Sequence, residues 1–245
     1  MALTDAQILQ NTALALIGEY EITESDTESK QYVLCERFYE KARDEVLVSH
    51  LWNEAIIDSM VLESDDSPIF GYTYKYAKPE DCLRVISIGT EEYSWEVKGN
   101  YILTDFYSAP KDWVAGETFV AGQYCTLSDI TYYCNISNTA ETANSPATDV
   151  FTWTSAEGDY GVINLTYVKR LTTVSEFSPR LYQAISYKLA IMVVTSITGN
   201  MNNKVQLLNE YENLVMPQAR GVDAAQGRPK KIMNTNNWIR ARGLS

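Results

Sequence analysis

Histidine is nearly absent from this 245-residue chain: His50 stands alone. A His-rich metal cluster is thereby excluded, and any triad chemistry would have to run through one residue with no partner in view. His50-Leu51-Trp52-Asn53 closes a helical stretch. A structural role is the plainer reading there, because a cation is favourable near a helix C-terminus; general base or metal ligand is the alternative. Cysteine is sparse as well. Cys35, Cys82, Cys125 and Cys134 form no C-x-x-C and no zinc spacing. Free, buried thiols are the simpler expectation, and pairing of Cys125 with Cys134 across a hairpin is the other. No Gly-rich phosphate loop, Gly-x-Ser-x-Gly elbow or metal-spaced set occurs, so no catalytic residue, metal or cofactor is nominated. No run reaches the roughly 18 consecutive apolar residues of a membrane span. Met1-Ala2-Leu3-Thr4-Asp5 has no basic region ahead of an apolar one. Neither a membrane segment nor a secretory signal is expected, and synthesis in a reducing cytosol fits.

What the chain does have is acid, unevenly spread. The formal net charge is −12. From Pro217 to Ser245 the basic residues Arg220, Arg228, Lys230, Lys231, Arg240 and Arg242 face only Asp223, which makes this segment +5 and residues 1–216 −17. Such a body repels nucleic acid, whereas the tail suits an acidic surface.

Helical periodicity opens and closes the chain. Thr4 with Gln7 is a capping box ahead of Ile8, Leu9, Ala13, Leu16 and Ile17, and Gly18 ends that helix. Ser25 with Glu28 forms a second box ahead of Tyr32, Cys35, Tyr39, Ala42 and Val46. Near the other end Ser178 is an N-cap, Pro179 occupies the first helical position, and Leu181, Ile185, Leu189, Met192 and Val193 share a face. Gly199 supplies the C-cap. A second helix then carries Val205, Leu208, Tyr211 and Val215 on one stripe, and Pro217 stops it.

Between these helices the period is two. Phe70–Tyr76 alternates, Cys82–Ile88 reads as a buried strand, and Trp95–Val97 with Tyr101–Leu103 flanks a hairpin turn at Lys98-Gly99-Asn100. Val162–Val168 is the last strand of this set. The acidic pairs Asp65-Asp66 and Glu91-Glu92 read as solvated turns rather than as acid/base carboxylates. From Ser108 to Gly158 the chain is poor in Lys and Arg and rich in Thr, Ser, Asn and aromatics, which predicts a small β module. After Pro217 apolar periodicity ceases until Trp238-Ile239, so that segment is expected to be extended.

The expected fold is therefore α+β: mainly an α-helical bundle, made of two N-terminal helices and a C-terminal helical hairpin, with an antiparallel sheet. Residues 1–107 and 159–216 form the core, 108–158 an inserted small all-β module, and 217–245 an extended basic arm.

Several strings resemble the tail tubular protein A family of short-tailed bacteriophages, the head-to-tail adaptors (connectors). They are Leu14-Ala15-Leu16-Ile17-Gly18-Glu19, Ala42–Glu45 leading into Leu51-Trp52-Asn53, Lys78–Val85, and Phe177–Gly199 with Pro179, Ala184, Tyr187 and Leu189-Ala190. They cover roughly 1–107 and 159–220. The resemblance implies a structural virion protein of the neck and no enzyme. It implies a homo-oligomeric ring of about twelve copies, a dodecamer, under the portal protein. Double-stranded DNA would pass through the lumen without sequence-specific binding, and a downstream nozzle or tubular tail protein would attach below. The portal-binding arm would be Arg220, Arg228, Lys230, Lys231, Arg240 and Arg242, with Trp238 as apolar anchor. Asp112–Cys125, with Tyr132-Tyr133-Cys134, Asn138-Thr139, Pro146 and Trp153, is similar to small chitin-binding-type carbohydrate modules. That likeness implies glycan or protein contact, tail fibres included, through Trp113, Tyr124, Tyr133 and Trp153. The alternative is that Trp113, Phe119, Tyr124 and Trp153 form the core of a very small domain.

Overall fold

The computed structural model of the chain describes residues 4–23, 28–64, 66–89, 94–141, 145–156 and 160–226. Helix α1 spans Asp5–Leu16 and begins with the expected reciprocal cap, in which the Gln7 amide donates to the Thr4 hydroxyl and the Thr4 amide to the Gln7 side chain. Ile8 points outward, whereas Leu9, Ala13, Leu14 and Ile17 are buried. Helix α2 spans Lys30–Ser49. Its N-cap is Ser29 rather than the expected Ser25, which lies outside the described residues; Ser29 accepts from the Tyr32 amide. Between the two helices buried Asn11 exchanges both its polar atoms with the backbone of Ile22, which pins the connecting loop.

Helix α3, Pro179–Thr198, is the central rod. Ser178 caps it, Pro179 starts it, and Gly199 ends it at φ +71°, a conformation that other residues adopt only with strain. By length and composition α3 could cross a membrane, but half of its most apolar stretch is buried within the protein. It packs against α1, α2 and the helices beyond it.

The chain beyond α3 departs from expectation. Helix α4, Met201–Glu210, runs without a stop through a π turn at Tyr211–Val215 into helix α5, Met216–Ala225. Pro217 therefore opens the last helix instead of terminating the previous one. The wide turn explains the tolerance: the Met216 amide reaches back five residues to the Tyr211 carbonyl, which shifts the bonding register just where a proline would otherwise clash. The stripe within α4 also faces differently. Leu207 and Val215 are buried, whereas Val205 and Leu208 are exposed.

Strands β1 (Ile56–Leu62), β12 (Val162–Lys169) and β3 (Cys82–Ile88) form one antiparallel sheet in the order β1-β12-β3. Strands β2 (Tyr74–Ala77), β5 (Tyr101–Thr104) and β4 (Trp95–Lys98) form a second, with the predicted hairpin turn at Gly99. Strand β2 is shorter than the alternation of Phe70–Tyr76 suggests, because Gly71 at φ +94° breaks the run. The first sheet lies between two cores. In its register against β12, strand β3 carries two bulges that leave Leu83 and Ile86 without opposite numbers, and these two pack on the helical core. On the other side Cys82, Val85 and Ile88 meet Tyr76 and Ile102 of the second sheet.

The expected helical bundle with a C-terminal hairpin is thus not the architecture. Among the described residues, four helical rods (α1, α2, α3 and the continuous 201–225) cover one face of a layered arrangement of small sheets. The sequence periodicity finds α1, α2 and α3 but misplaces the end of the last helix and overweights the helices, because the short strands leave weak periodic signals.

Residues 111–155 form a third unit with its own core. It comprises β6 (Lys111–Asp112), β7 (Thr118–Phe119), β8 (Tyr124–Leu127), β9 (Ile130–Cys134), β10 (Asn138–Thr139) and β11 (Trp153–Ser155). They make a sheet of order β11-β9-β8-β6 and a β10-β7 pair, with β6 parallel to β8. Ser128 and Asp129, both at positive φ, make the tight turn between β8 and β9.

Candidate functional site

The four aromatic side chains expected to contact a partner from the inserted unit divide into two pairs. Trp153 is 2% exposed and meets Phe119 edge-on at 5.3 Å between ring centroids. Trp113 is partly buried against the same core, and its indole N–H is buried without a hydrogen-bond partner. Trp153 offers no stacking face, so contact through it is corrected to a core role, whereas Trp113 is only half-buried against that core.

Tyr124 and Tyr133 remain outside that core. They are directly opposed in the β8–β9 register, with ring centroids 5.2 Å apart and planes tilted by 58°. Burial, and to a lesser degree Tyr133, pushes the Tyr124 phenol above its ordinary range, so it stays protonated and able to donate. Both rings line a groove of about 440 Å³ between the inserted unit and strand β1, with Ser59, Met60, Thr154 and Ser155. A neighbouring recess of about 650 Å³ continues along β1 and β12 past Asp58, Gln123, Asn164 and Thr166. Thr166 donates to the Asp58 carboxylate at 2.6 Å. The lining is hydroxyl- and amide-rich with one carboxylate, which suits neutral polar ligands and disfavours anions.

Cys125 and Cys134 are free and buried. In the register Cys125 opposes Tyr132 rather than Cys134. Burial, with Cys134 adding to it, pushes the Cys125 thiol up to about 12. Cys134 is raised for the same first reason, and its sulfur accepts from the Asn138 amide. These thiols are poor nucleophiles.

Of the basic arm, Arg220 lies within α5, not on an extended segment. It borders a recess of about 470 Å³ shared with Glu45, Lys188, Tyr211 and Glu212. The arm therefore starts later than position 217. Arg228, Lys230, Lys231, Trp238, Arg240 and Arg242 lie outside the described residues.

The residue that sequence reasoning missed is Asp223. It is nearly fully buried on α5 and accepts from His50 Nε2 at 2.9 Å and from the Asn53 amide at 2.9 Å. The Asn53 side chain also donates to its carboxylate and to its carbonyl. His50 thus has a partner 173 positions away. The available signal was the spacing of Met216, Ala219 and Asp223, which prolongs the helical period past Pro217. Asp66 of the first acidic pair binds Lys75 at 2.6 Å; Asp65, Glu91 and Glu92 are outside the described residues. Among the described residues no group of three or more His, Cys, Asp or Glu side chains could hold a metal ion.

Comparison of the chain with protein-family models and with curated proteins finds no match.

Proposed function

We propose that this chain is a structural connector of a short-tailed bacteriophage virion. In this reading it forms a homo-oligomeric ring, of about twelve copies, between the portal and the downstream tail protein, and double-stranded DNA passes through it without chemistry. One observation carries the proposal. The strings that resemble adaptor proteins are scattered over more than 180 positions, yet they meet in adjoining cores: Leu14, Ile17, Trp52, Ala184, Leu189 and Ala190 in the helical core, Cys82 and Val85 on the sheet beneath it. The excess acid of residues 1–216 also suits the wall of a channel, since a negative lumen does not hold a passing duplex by its phosphates.

Native mass spectrometry of the purified chain, alone and with its portal, tests this. A ring of about a dozen copies on the portal supports the connector; a chain that ignores the portal overturns it. A second reading, a carbohydrate-binding accessory protein acting through the inserted unit, is favoured by one feature, the exposed Tyr133 paired with Tyr124 over a hydroxyl-lined groove. A shift on glycan arrays that Tyr133→Ala abolishes would move the function there.

A further inference from the structure

Strand β1 is an edge of its sheet, with β12 on one side. Two bonds fix which way its main chain faces. The Glu63 amide donates to the Gly161 carbonyl, so in this register the odd-numbered residues of β1 bond β12. The Asn164 carbonyl instead accepts from the Gly89 amide, on the β3 side. Met60, opposite Asn164, therefore belongs to a non-bonded pair, as do Asp58 and Ile56. The main-chain groups of these three residues point out of the sheet. At one end of the run the Ile56 amide turns back to the Trp52 carbonyl, and past Leu62 strand β2 takes over, with the Ser64 amide on the Lys75 carbonyl. In between, the amides of Asp58 and Met60 and the carbonyls of Ile56 and Asp58 have no partner among the described residues; the Met60 carbonyl takes the Ser59 hydroxyl at 3.4 Å.

Acceptors and donors alternating at strand repeat are what an incoming strand needs. A bare edge is also a hazard, because any extended chain can pair with it. Among the described residues β12 and, at the far end, β2 are the elements packed along β1. The recess past Ile57, Asp58, Ser59 and Met60 leaves room for a further chain.

The position of α5 says which chain. Asp223 accepts from the Asn53 amide, and its carbonyl accepts from the Asn53 side chain at 2.7 Å. Helix α5 ends two residues later at Ala225, and β1 begins three residues past Asn53. The chain thus reaches position 226 beside the start of the bare edge. Residues 227–245 follow, and extended they reach about 60 Å, whereas pairing with Ile56–Met60 takes about 17 Å. They carry Arg228, Lys230, Lys231, Arg240 and Arg242 and no acid, a charge of +5 that leaves −17 on residues 1–226. Opposite charge draws the two together. Asp58 is the charged side chain of the bare run, and it is exposed. Pro229 cannot donate to a ladder, so pairing starts at Lys230-Lys231, which brings a cation to Asp58.

We propose that the basic segment after Gln226 docks as an added strand on the bare Ile56–Met60 edge of its own copy. The contact does not depend on the connector reading, and any partner that captures the segment must compete with it.

Amide hydrogen exchange of the free protein, read residue by residue by NMR, tests this in the full chain and in one ending at Gln226. The Asp58 and Met60 amides should exchange roughly tenfold more slowly in the full chain. The Ser59 and Val61 amides, which bond β12, should be alike in both and show the sheet intact. A synthetic peptide of residues 227–245 added to the shortened chain should restore the slow exchange. In the full chain, Met60→Pro removes one outward donor and spares the β12 ladder. It should speed tryptic cleavage after Lys230 and Lys231 by a similar factor. Equal exchange at Asp58 and Met60 in the two chains overturns the proposal. So does slowing that appears only when the portal is added, which would give the edge to a portal strand. Slowing that appears only at concentrations where larger species form would give it to a neighbouring copy, and the proposal again fails. None of these results bears on whether the chain forms a ring on the portal.

Discussion

His50 and Asp223, 173 positions apart, meet at 2.9 Å where α2 hands over to β1. The carboxylate also takes the Asn53 backbone amide, so one side chain of the last helix fixes the end of an early one and the start of the sheet. Replacing Asp223 with Ala leaves the Asn53 amide and the His50 ring without their acceptor in a buried setting. A loss of about 2–3 kcal/mol is expected. His50→Ala should cost less, because Asn53 keeps its acceptor. Urea unfolding of the two variants compares them directly; equal losses would mean that the histidine, not the amide, is the main partner.

Truncation gives a second prediction. A chain ending at Gln226 keeps Met216, Ala219 and Asp223 and should unfold close to the native temperature. A chain ending at Pro217 forfeits Ala219 and Asp223 and should be less stable by several kcal/mol. Thermal unfolding followed by far-ultraviolet circular dichroism separates them. Identical melting of the two truncated chains would show that α5 adds nothing to the fold.

Within the inserted unit the two aromatic pairs should respond oppositely. Trp153→Ala removes the largest buried ring and should destabilise that unit by about 3–5 kcal/mol. Tyr133→Ala, at an exposed position, should stay within about 1 kcal/mol. Hydrogen exchange reports both, and protection in β8 and β9 should collapse only for Trp153→Ala while α3 is unchanged. Collapse of α3 as well would show the insert and the helical core to be one cooperative unit.

Alkali should weaken the fold through its thiols. Burial raises Cys35, with help from Glu36, and Cys125, with help from Cys134, each from 9.0 to about 12. Below pH 9 both folded and unfolded chains keep these protons, and the stabilising contribution is whole. Between about 9 and about 12 the unfolded chain has released them and the folded chain has not, so stability falls as pH rises. Cys35→Ala and Cys125→Ala should each flatten that fall in melting temperature. Slopes that match the unaltered chain would refute the assignment.

Features governed by neighbours in sequence were legible before the structure. The caps at Thr4, Ser178 and Gly199 and the turn at Gly99 depend on a few adjacent residues, and they stand where the pattern places them. Pro217 reads as a stop because its true environment is set by a π turn whose bonding shift leaves no trace in composition. Tyr133 and Trp153 look alike as aromatic members of a β-rich string; only the register of β8, β9 and β11 puts one outside and the other inside. Asp223 and His50 could not be joined on paper, since nothing local predicts a contact over that span. The outward face of Val205 and Leu208 was hidden for a related reason: a helical stripe specifies a face, not which way it points.

Where the inserted unit leaves the sheet and where it returns, the Val162 amide donates to the Ser108 carbonyl at 2.8 Å. The two ends of the excursion are therefore tied together before β12 begins. A segment whose ends already touch adds no loop-closure demand to the scaffold that carries it. With its ends adjoining, the unit can change length at little loop-closure cost to β1, β12 and β3.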